Sequence, residues 1–168
     1  MTWLLILFGI AIVISPLMWF RQSPRQKLIT ELRRSANSLG LQVSLHRRPD
    51  ARDDETRLEC VCYRRPWLDD SCRQSWVLHR YSKRGWAPES ALLNSHQWLW
   101  TIAEADPKWT AVLAEISGDF PQGVSAIIAN KAGIGVVWNE RDDASDLHKV
   151  AENLTKMQQT AKKFADEA

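Results

Sequence analysis

The chain has 168 residues, 45% of them hydrophobic and 25% charged, a balance that excludes wholesale disorder and suffices for one hydrophobic core. Its formal net charge of +2 is unevenly placed: residues 1–20 carry no charged side chain, whereas 21–34 hold Arg21, Arg25, Lys27, Arg33 and Arg34 against Glu31 alone. The three cysteines, Cys60, Cys62 and Cys72, are an odd number that cannot all pair within the chain, which favours reduced thiols and a cytosolic setting.

The first element runs from Trp3 to Phe20, eighteen residues without a charge. At 1.5 Å per residue it measures roughly 27 Å as a helix, close to the thickness of a bilayer's hydrocarbon core. A transmembrane helix is therefore expected, with Trp3 and Trp19 at the two interfaces and Phe8, Pro16 and Phe20 within the span. A cleaved signal peptide is disfavoured: no basic side chain precedes the apolar run, and no small-x-small cleavage site follows it. With five basic residues after the span and none before it, the N-terminus is expected outside and the rest of the chain in the cytoplasm. Arg21, Arg25, Lys27, Arg33 and Arg34 are expected to contact the inner leaflet.

Ser23-Pro24 reads as a helix start and Gly40 as its stop, with Leu28, Leu32, Ala36 and Leu39 on one face turned toward the domain. Alternation of Leu41, Val43 and Leu45 with polar residues predicts a strand, and residues 49–55 a polar loop. Further strands are expected around Leu58, Cys60 and Cys62, with the cysteines on the inward phase, then at 76–81 and 97–104, with a turn at 82–85. Asp106-Pro107 opens a second helix carrying Trp109, Val112, Leu113 and Ile116 on one face as far as Gly118. Two apolar runs, 125–129 and 134–138, flank Asn130-Lys131-Ala132-Gly133 as a β-hairpin. A long amphipathic helix then begins near Asp143 or Ser145, with Leu147, Val150, Leu154, Met157, Ala161 and Phe164 spaced 3-4-3-4-3.

The expected fold class is α+β: an N-terminal transmembrane helix, then an antiparallel sheet covered by helices, closed by the long C-terminal helix. The expected organisation is an anchor over 1–22, a basic juxtamembrane helix over 23–40 and a soluble domain over 41–168. Nine tryptophans, spread from Trp3 to Trp138, are expected mainly as packing residues.

Recognisable chemistry is sparse. Cys60, Cys62, Cys72 and His79 contain a one-residue gap where paired zinc ligands usually have two or more, so small-hydrophobe behaviour is the better reading. Gly133-Ile134-Gly135 lacks the third glycine and the parallel unit of a dinucleotide loop. The acidic clusters Asp53-Asp54-Glu55, Asp69-Asp70 and Asp142-Asp143 suit turns and helix starts. Basic and aromatic residues interleave at Tyr63-Arg64-Arg65-Pro66-Trp67 and again at Arg80, Tyr81, Lys83, Arg84 and Trp86. Between 51 and 90, however, seven acidic residues nearly match eight basic ones, which weakens a nucleic-acid reading.

Trp3-Leu4-Leu5, Ser23-Pro24-Arg25-Gln26 and Leu39-Gly40-Leu41 resemble a group of uncharacterised proteobacterial single-span inner-membrane proteins, some loosely similar to the accessory subunit of the preprotein translocase. The resemblance covers the first quarter of the chain and implies a bacterial inner membrane, without carrying over any functional residue. The leading expectation is a membrane-anchored cytoplasmic interaction or accessory module, meeting the lipid bilayer and a protein partner, with no catalytic or metal residue and no cofactor assigned. The competing one is a small-ligand-binding or enzymatic domain with its site on the Trp-rich sheet.

Overall fold

The computed structural model describes residues 2–3, 6, 23–48, 59–68, 75–80, 92–93, 98–101, 103–140 and 144–167. The chain divides into two compact units, Met1–Glu31 and Leu32–Ala168. In the first, Thr2, Trp3 and Ile6 are helical, and helix α1 (Pro24–Ser38) begins. Its start is a reciprocal capping box: Gln26 N–H donates to Ser23 Oγ at 3.2 Å, and Ser23 N–H donates to Gln26 Oε1 at 3.0 Å.

In the second unit α1 ends as the sequence predicts. Gly40 takes φ +76°, Leu41 N–H donates to Ala36 O at 2.9 Å, and Gly40 N–H donates to Asn37 O at 3.0 Å, the two bonds of a Schellman stop. The strands β1 (Gln42–Arg47), β2 (Glu59–Arg65), β3 (Trp76–Arg80), β4 (Leu92–Leu93), β5 (Trp98–Trp100), β6 (Val124–Asn130) and β7 (Gly133–Trp138) form one antiparallel sheet. Among the described residues its order is β1-β2-β7-β6-β3-β5-β4. Helix α2 (Pro107–Ile116) is capped by Asp106, whose side chain accepts from Lys108 N–H at 3.0 Å. Helix α3 (Ala144–Asp166) packs on β7 and β2.

The alternation of each strand sorts side chains onto two faces. Val61, Tyr63, Trp76, Leu78, Trp98, Ile127, Val136 and Trp138 share one core with Leu32 and Ala36 of α1, Trp109 and Leu113 of α2, and Leu147, Leu154 and Met157 of α3. Val77, Ala126, Ile128 and Val137 form a smaller buried cluster on the other face, with Cys60 packed against it. The cysteine phase of β2 thus points away from the helices. It is Val61 and Tyr63 that face them.

The expected transmembrane helix is corrected. Among the described residues no helix is long and apolar enough to cross a membrane. Helix α3 has the length, at 23 residues, but its apolar stripe alternates with Lys149, Glu152, Lys156, Lys162 and Lys163. The fold is α+β, an antiparallel sheet with helices on one face. Of the residues assigned to the span, Trp3 is 78% exposed, while Phe8, Pro16, Trp19 and Phe20 lie outside the described residues, as do Arg21, the loop at 49–55, the turn at 82–85 and the acidic clusters.

Candidate functional site

Among the described residues the most concentrated polar chemistry lies where β7 ends. Glu140 is buried, and its backbone has φ +53°, a left-handed conformation that costs a non-glycine residue on the order of 1–3 kcal/mol. The turn aims its carboxylate between α1 and β2. Arg33 grips it with both arms of the guanidinium, Nε donating to Oε1 at 2.7 Å and Nη2 to Oε2 at 2.9 Å. The buried Tyr63 hydroxyl donates to Oε1 at 2.7 Å. Burial pushes the Tyr63 phenol well above its ordinary value, and the hydrogen bond to Glu140 and its charge push it further. The hydrogen bond to Glu140 likewise raises Arg33, against its own desolvation. Both carboxylate oxygens and the phenol are therefore committed to one another, which makes this a clasp joining α1, β2 and the end of β7.

A second polar group stands at the C-terminal end of β2, two residues beyond Tyr63. Arg65 donates from Nη1 to Leu39 O at 3.0 Å, completing the end of α1, and from Nε to Gln158 Oε1 at 3.1 Å. Gln158 donates in turn to Pro66 O, and Trp67 Nε1 donates to Asn130 O at 2.7 Å. Arg80 donates to the carbonyls of Pro121 and Phe120 at 2.9 and 3.2 Å and lies 4.8 Å from the Trp98 ring centre. Of the residues that suggested base stacking, Tyr63, Arg65, Trp67 and Arg80 are thus drawn into internal contacts. They are not arrayed on one free face.

Three of the described tryptophans pack against one another. Trp76 meets Trp100 and Trp109, each at 5.7 Å between ring centres, and Trp109 meets Phe164 edge-on at 5.5 Å. Tyr63 meets Trp138 at 5.2 Å. The Trp-rich sheet is therefore occupied by its own side chains over β3, β5, α2 and α3.

No matching family, curated protein or solved structure was found for this chain.

On the second sheet face, Cys62 is fully buried and its thiol is pushed up by that burial, an effect that Arg64 partly offsets. Cys60 donates to His46 O at 3.2 Å. Among the described residues no three His, Cys, Asp or Glu side chains converge as metal ligands. Of the basic residues expected at a lipid surface, Arg25, Lys27 and Arg34 are exposed. Arg33 instead holds Glu140, because α1 turns it toward the end of β7. Leu28, expected to face inward, is 46% exposed. Sequence reasoning missed the clasp because Glu140 lies 107 residues from Arg33 and 77 from Tyr63, and no local pattern marks any of the three.

Proposed function

We propose that this chain is a non-catalytic accessory module that works at a membrane surface, on its cytoplasmic side, by binding a protein partner. One observation carries this reading: within Met1–Glu31 both apolar and basic side chains are exposed. Trp3, Ile6 and Leu28 are 78%, 55% and 46% exposed, and Arg25 and Lys27 are exposed as well. Exposed aromatic and aliphatic groups accompanied by bases suit an anionic lipid surface, where each basic residue contributes about 1 kcal/mol. Within Leu32–Ala168, by contrast, the described tryptophans and the clasp residues serve packing. A ligand site on the Trp-rich sheet has correspondingly little support.

Flotation with vesicles tests the reading. The full chain should float with vesicles containing phosphatidylglycerol and much less with phosphatidylcholine alone. Replacing Arg25, Lys27 and Arg34 together by Gln should weaken anionic binding by roughly 3 kcal/mol, on the order of 100-fold. Equal flotation of the triple variant, or no flotation of the unsubstituted chain, would overturn the membrane reading.

A further inference from the structure

We draw no further inference here: the strongest candidate, the sheet face opposite the helices, where the buried Nε and Nη2 of Arg64 have no hydrogen-bond partner among the described residues and lie near the Cys62 thiol, carries nothing because nothing in the described structure shows what covers that face.

Discussion

Glu140 concentrates a backbone cost and a buried charge at one position, and both are offset only while Arg33 and Tyr63 are in place. Replacing it by Gln keeps the shape and removes the charge. Losing one partner of a buried pair usually costs 3–5 kcal/mol, but the Arg33 side chain is 42% exposed and water can recover part of its solvation. A loss of about 2 kcal/mol in urea unfolding is therefore expected. Tyr63 adds a pH dependence. Its folded-state value lies above that of the unfolded chain, so the folded protein keeps a proton that the unfolded one releases. That stabilisation is intact below pH ~10, the unfolded phenol value, and is lost as pH rises through the folded value. The stability gap between the parent and Tyr63→Phe should accordingly narrow above pH ~10 and be flat below it; a gap that widens with pH would refute the assignment. Cys62 offers an independent check. Fully buried and with its thiol pushed up, it should resist alkylation at neutral pH until the protein unfolds, as peptide mass mapping would reveal.

At the scale of elements, the β6–β7 hairpin shows how a turn and a neighbouring strand constrain one residue. Asn130 and Gly133 are register partners across the turn, and Asn130 Oδ1 accepts from Ala132 N–H at 2.9 Å. Gly133 has φ +145°, and a Cβ there would run into the Arg65 carbonyl and the Pro66 backbone. Gly133→Ala should cost on the order of 2–4 kcal/mol, combining backbone strain with overpacking, whereas Ala132→Gly in the same turn should change stability by under about 1 kcal/mol. Comparable losses for the two would mean that turn flexibility alone matters. The hairpin was readable in advance because two apolar runs flank a short polar turn. The collision with Arg65 was not, since β2 reaches β7 from a segment about seventy residues earlier.

For the molecule, the aromatic contacts couple layers that could otherwise melt apart. Trp76 on β3 touches Trp109 on α2, which touches Phe164 on α3. Leu154 lies fully buried in the same core. The Leu32–Ala168 unit should therefore unfold in one transition, with far-UV and near-UV circular dichroism coinciding. Leu154→Ala should lower stability by about 2–5 kcal/mol and move both signals together. A near-UV transition well ahead of the far-UV one would show that the helices leave the sheet first.

The sequence by itself determined the elements whose signals are local. The helix at Pro24–Ser38 follows from Ser23-Pro24 and Gly40, the second helix from Asp106-Pro107, the hairpin from its turn, and the last helix from the spacing of Leu147, Val150, Leu154, Met157 and Ala161. It also pointed to tryptophan as packing material. Only the tertiary structure decided which face each strand turns to the helices, because alternation defines two phases without naming the inner one. With a buried cluster on both faces, Cys60 and Cys62 could occupy the phase opposite Val61 and Tyr63 and still be sheltered. The apolar run from Trp3 to Phe20 lies almost wholly outside the described residues, and the described helices derive their stability from amphipathic faces. The clasp of Arg33, Tyr63 and Glu140 depends on strand order, which joins residues distant in the chain and leaves no periodic trace along it.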